Sequence, residues 1–83
     1  MNLNIDPFKG LEQLYKTLSK RHLYVQAAYP AEINGAKGYL GISRAVYSRV
    51  WFDTEADSKT LYSSFSNQKA QKKFQELRAK YCN

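Results

Sequence analysis

The amino-acid sequence predicts an α+β fold: a small antiparallel β-sheet of three or four strands, with an N-terminal and a C-terminal amphipathic helix packed on one face. Three observations predict it. Apolar residues recur at helical spacing near the start of the chain and again at Ala70, Phe74, Leu77 and Tyr81. Between these stretches the pattern changes to alternation, and β-branched and aromatic residues concentrate in 44–52. The chain has 83 residues, enough for one hydrophobic core and hardly two, so 1–83 reads as a single compact domain.

Asp6 followed by Pro7 is the clearest local signal, an N-cap acceptor and then a residue whose fixed φ suits the first helical position. The helix it starts should run from Pro7 to about His22. Phe8, Leu11, Leu14, Tyr15 and Leu18 fall on one arc of it, and Lys9, Lys16 and Lys20 stand nearly opposite. Gly10 lies in the first turn, where its cost to helicity is tolerable. From Leu23 the period is two, with Leu23, Val25, Ala27 and Tyr29 alternating against Tyr24, Gln26 and Ala28. Pro30 should end this strand or keep it at an edge. Asn34-Gly35 marks a hairpin turn. Beyond it Gly38-Tyr39-Leu40-Gly41-Ile42 forms a second strand, whose glycines suggest a bulge or bend.

Residues 44–52 have the strongest β content. Alternation places Val46, Ser48, Val50 and Phe52 on one face, and Tyr47, Arg49 and Trp51 on the other. Tyr39, Ile42, Val46 and Val50 also fit a helical stripe, so helix over 39–50 is the competing reading. An acidic loop, Asp53 to Asp57, then turns the chain, and Thr60, Leu61, Tyr62 and Phe65 suggest a last strand. Ser66 or Asn67 caps the final helix, whose other arc carries Lys69, Lys72, Lys73 and Lys80.

The formal net charge is +6, which favours polyanions, acidic proteins or anionic surfaces as partners. The charge is unevenly placed. The segment 59–83 holds Lys59, Lys69, Lys72, Lys73, Arg78 and Lys80 against Glu76 alone, whereas 53–58 holds only Asp53, Glu55 and Asp57. Cys82 is the one cysteine, which excludes an intrachain disulfide framework and any cysteine-based metal cluster. No apolar run approaches the roughly 20 residues that cross a bilayer, and the N-terminus lacks the features of a signal peptide. A cytoplasmic protein without a membrane partner is expected.

With both helices on one side of the sheet, the side carrying Tyr47, Arg49 and Trp51 would be open. Aromatic rings and guanidinium groups together can stack bases and contact phosphate, as in many single-strand binders. Arg44, Tyr24, Tyr39 and Tyr62 could extend that platform. Lys69, Lys72, Lys73 and Lys80 offer a second route to phosphates, salt-dependent and blind to sequence. The same aromatic face equally suits the core, a homodimer interface or a specific protein partner.

Two short stretches resemble known nucleic-acid-binding motifs. Leu40 to Val50 resembles the turn and recognition helix of helix-turn-helix proteins, which implies that Ser43, Arg44, Tyr47 and Ser48 enter the major groove. Its would-be first helix, Pro30 to Gly38, contains Asn34-Gly35 and is poorly suited to helix. Gly35-Ala36-Lys37-Gly38 is similar to the Gly-x-x-Gly loop of KH domains, which joins two helices and grips a nucleic-acid backbone.

Catalytic and metal chemistry find little support. His22 is the only histidine, and its place near the apolar arc suggests a partly buried or capping residue. Asp53, Glu55 and Asp57 lack the full calcium-loop spacing and have no His or Cys neighbour. No catalytic residue, metal or cofactor is expected. The sequence thus leaves two non-enzymatic classes, a nucleic-acid-binding module and, as the alternative, a small interaction or inhibitor protein with an aromatic binding patch, and the net charge favours the first.

Overall fold

In a computed structural model of the chain, which describes residues 12–82, a four-stranded antiparallel sheet lies between two helices. The elements run α1 (Glu12–Arg21), β1 (Val25–Ile33), β2 (Ala36–Arg44), β3 (Ser48–Asp53), β4 (Ser58–Ser64) and α2 (Asn67–Tyr81). Strand order is β1-β2-β3-β4, so each strand pairs with its sequence neighbour. The expected helix start at Asp6-Pro7, with Phe8, Lys9, Gly10 and Leu11, lies outside the described residues.

Local chemistry explains most boundaries. Asn34 and Gly35 both adopt positive φ, 52° and 80°, as the two-residue turn of a type I′ hairpin requires. Pro30 sits inside β1 and is tolerated because β1 is an edge strand, where a missing N–H need not break a ladder. Ser66 is the N-cap of α2, its side chain accepting from the Lys69 amide at 3.3 Å. The far end closes with Cys82 N–H donating to the Arg78 carbonyl at 2.9 Å.

The two helices pack on opposite faces, which corrects the expectation that they share one. On one face, Leu40, Ile42, Val50 and Phe52 meet Ala70 and Phe74 of α2, with Tyr62, Leu77 and Tyr81 at the margin. On the other, Tyr39 and Trp51 meet Leu14 and Leu18 of α1. The sheet is therefore dry on both sides along its middle, where each fully buried Leu, Val or Phe contributes roughly 1.5–3 kcal/mol.

Several finer expectations are also corrected. Residues 39–50 are strand, turn and strand, so neither the helical reading nor the helix-turn-helix resemblance of 40–50 holds. Val46 and Tyr47 lie in the turn between β2 and β3 instead of on strand faces. Gly35 to Gly38 belongs to the β1–β2 hairpin and joins no helices, which removes the KH resemblance. The bulges fall at Gln26 in β1 and Leu61 in β4, not at the glycines of β2.

Candidate functional site

The α1 side of the sheet is built around Trp51. Its indole lies over Gly41, its cross-strand partner, and a Cβ at Gly41 would stand 2.2 Å from the Trp51 ring. Only glycine leaves that space. The indole N–H donates to Ser43 Oγ at 3.2 Å, satisfying the buried polar atom. The His22 ring, at the end of α1, stacks on the indole with centroids 3.8 Å apart and planes 6° from parallel.

His22 also ties three elements together. Its Nε2 lies 2.8 Å from Asp53 Oδ2, and Arg49 donates to its Nδ1 at 2.9 Å. Because a guanidinium has only donors, Nδ1 must accept, which assigns the proton to Nε2 and leaves the ring neutral. Asp53 is fully buried at the end of β3 and also accepts from Ser58 Oγ, while the Arg21 guanidinium stands 3.6 Å away. Asp53 is thus a structural anchor and not part of an exposed acidic loop. Arg21 donates in addition to the Thr54 carbonyl at 3.1 Å.

The exposed apolar residues gather elsewhere. The starts of β1 and β3 and the ends of β2 and β4 share one end of the antiparallel sheet. Leu23 and Tyr24 precede β1, Val46 and Tyr47 occupy the β2–β3 turn, and Phe65 follows β4. Leu23, Tyr24, Val46 and Phe65 are each 71–81% exposed, and Tyr47 is 41% exposed. Contacts knit the group: the Tyr24 carbonyl accepts from Arg44 N–H at 3.2 Å, and the Tyr47 and Phe65 rings meet edge-on with centroids 5.9 Å apart. Among the described residues, Leu61 in the β4 bulge is the other large hydrophobic residue that is exposed.

Tyr24 adds a backbone observation. Its φ of 56° places a bulky residue in the left-handed region, which costs roughly 1–2 kcal/mol. That conformation holds the ring in solvent, 73% exposed, where burial does not repay the strain.

Beside this end lies a cleft of about 280 Å³, lined by Arg21, Leu23, Ser43, Ala45, Tyr47 and Arg49. A second depression, of about 250 Å³, is lined by Tyr47, Ser63, Ser64 and Phe65. Arg44 is exposed near the same turn, with Nη1 donating to Ser48 Oγ at 3.1 Å, and Ser48 Oγ in turn donates to Asn67 at 3.0 Å. The apolar end is therefore rimmed by guanidinium groups.

The residues singled out in the sequence do not form one platform. Tyr47, Arg49 and Arg44 lie at or beside the apolar end, but Trp51 is fully buried beneath His22 and α1 and presents no ring face to a partner. Tyr39 is buried with α1, and Tyr62 packs into the α2 side of the core. Lys69, Lys72 and Lys80 are exposed and Lys73 is half-buried, all on α2 across the sheet from Arg49. Leu23, Val46 and Phe65 were not legible as a site, because their alternation with neighbours gave each a place in a strand. Their one signal was position, each beside a change of element.

No group of His, Cys, Asp and Glu among the described residues is placed to hold a metal ion. No helix among them is long and apolar enough to cross a membrane. Comparison with protein-family models, with curated proteins and with solved structures finds no match to the chain.

Proposed function

We propose that the protein is a non-enzymatic binding module that engages an acidic protein partner through the apolar end of its sheet. The observation that carries this reading is the collection of Leu23, Tyr24, Val46, Tyr47 and Phe65 at that one end. Small domains rarely leave large apolar side chains clustered in water, and aromatic residues ringed by Arg are the usual composition of an interface centre. The strained backbone of Tyr24 supports the same reading, since it serves exposure and not packing.

Charge selects the kind of partner. Arg21, Arg44 and Arg49 surround the patch, and the chain as a whole carries +6. A two-fold dimer through this end would set one copy's guanidinium groups against the other's. An acidic surface carrying apolar side chains complements it instead.

A second reading, nucleic-acid binding, is favoured by the exposed Lys69, Lys72 and Lys80 on α2. Its stacking residue could not be Trp51, which is covered, so any base stacking would fall to Tyr24, Tyr47 and Phe65 at the apolar end.

The two readings separate in a single pair of measurements. Binders are selected on the full chain from a random dodecapeptide display library, and the chosen peptides are mapped by amide chemical-shift perturbation. The protein reading expects shifts at residues 23–24, 45–47 and 63–65; shifts confined to α2, or no enriched peptide, contradict it. A salt titration with labelled single- and double-stranded oligonucleotides addresses the other: absence of binding at about 50 mM salt removes the nucleic-acid reading.

A further inference from the structure

We infer that the cleft between the end of α1 and the β2–β3 turn is a carboxylate-binding pocket, taking an Asp or Glu side chain of the partner with an apolar neighbour laid against Leu23 and Tyr47. The inference deepens the protein-binding reading and rests on it.

The first argument is charge balance. In the cluster beneath the cleft, Arg21 and Arg49 supply two positive charges, neutral His22 none, and Asp53 one negative charge. Asp53 is already engaged by His22 and Ser58 and is fully buried, so it cannot swing out to satisfy Arg49. One cationic group is left over, and it lines an open cleft. The nearby Glu55 shares a depression with Arg21 on the α1 side, together with Gln13, Leu14 and Thr17, and does not line this cleft.

The second argument is preorganisation. Arg49 rises from the second residue of β3, an inner strand, where it pairs with Ser43 of β2 and Ser63 of β4. One Nη donates to His22 Nδ1, and that ring is itself pinned by Asp53 and by stacking on Trp51. Among the described residues the guanidinium is therefore held on one side only, with its other N–H groups available for the paired acceptors of a carboxylate. A pre-positioned Arg loses less conformational entropy on binding than a free surface lysine does.

The third argument is the walls. Leu23, Ala45 and Tyr47 border the guanidinium groups, so the anion is expected beside an apolar residue. The volume, about 280 Å³, is room enough for a carboxylate side chain. Inorganic phosphate brings no apolar group to these walls, whereas a carboxylate side chain of a protein comes with apolar neighbours from its own chain.

The test uses the full chain and the peptides selected on it, each remade with Asp and Glu changed to Asn and Gln. The pocket predicts that neutralising one particular carboxylate weakens binding about tenfold or more, as expected for a charge-assisted pair. Arg49→Gln should reproduce that loss, Arg49→Lys should recover part of it, and neutralising the peptide should add little further loss in Arg49→Gln. Because Arg49 also bonds His22, Leu23→Glu provides a second variant: the residue is largely exposed, and the added carboxylate competes for the pocket. Thermal melts confirm that each variant is folded.

If selected peptides bind at residues 23–24 and 45–47 but are indifferent to their carboxylates and to Leu23→Glu, the pocket is wrong and the binding end stands. If no peptide binds there, both fail. Equal competition by inorganic phosphate and by the carboxylate peptide at the same concentration also overturns the inference, since it shows an unselective anion site.

Discussion

Replacing His22 with Ala removes the group that joins α1, Asp53, Arg49 and Trp51, and the cost follows from what each loses. Asp53 is fully buried and keeps Ser58 and the more distant Arg21, so the damage is that of removing one hydrogen-bond donor from a buried carboxylate, about 1.5–3 kcal/mol. Trp51 loses a parallel ring at 3.8 Å, worth about 0.5–1.5 kcal/mol. The sum, about 2–4.5 kcal/mol, is a large share of the roughly 4–12 kcal/mol expected for a domain of this length. At roughly 4–8 °C per kcal/mol, the melting temperature should fall by about 8–36 °C. Urea melts of wild type, His22→Ala, Asp53→Asn and the double variant measure the effect and the coupling between the two residues. A loss below about 1 kcal/mol, or strictly additive single variants, would refute the anchoring role, since contact pairs of this kind couple by roughly 0.5–3 kcal/mol.

Three further outcomes are expected. Gly41→Ala should destabilise by about 1–3 kcal/mol through overpacking against the Trp51 ring, which His22 and the Ser43 bond prevent from shifting; a neutral change in urea melts contradicts that fit. Trp51 is the only tryptophan, so its emission should be blue-shifted and poorly quenched by acrylamide, with quenching rising sharply in His22→Ala. The Cys82 thiol is half-buried, and burial pushes its pKa above the ordinary thiol value against a smaller opposing effect of Arg78. Less thiolate is then present at pH 8, so iodoacetamide should alkylate Cys82 more slowly in the folded chain than in urea.

Much of the fold was legible because local chemistry and tertiary packing agree. Asn34-Gly35, Ser66 and the 70/74/77/81 stripe act where the sequence places them. The helix placement was not, although a signal existed: Tyr39-Leu40-Gly41-Ile42 and Val50-Trp51-Phe52 are unbroken buried runs, the mark of a strand covered on both faces. Reading them as alternating strands leaves one face open and exposes Trp51. The β2–β3 turn was hidden for a related reason, since Ala45-Val46-Tyr47 contains no Gly, Pro, Asn or Asp and its composition favours strand.

The candidate site divides in the same way. Arg44, Tyr47 and Arg49 were visible because charge and ring type announce binding chemistry wherever they fall. Leu23, Val46 and Phe65 became a patch only when antiparallel pairing brought four strand ends together. His22 and Asp53 are 31 residues apart in sequence, and no local spacing links them.

Val46 offers the most direct test of the claim that this end binds a protein. It is 81% exposed, so Val46→Asp should leave the melting temperature unchanged while placing a charge in the centre of the patch. The dissociation constant of the peptide selected on the wild-type chain should rise about tenfold or more, as expected from losing a buried Val side chain. Equal affinity for wild type and Val46→Asp would contradict the account.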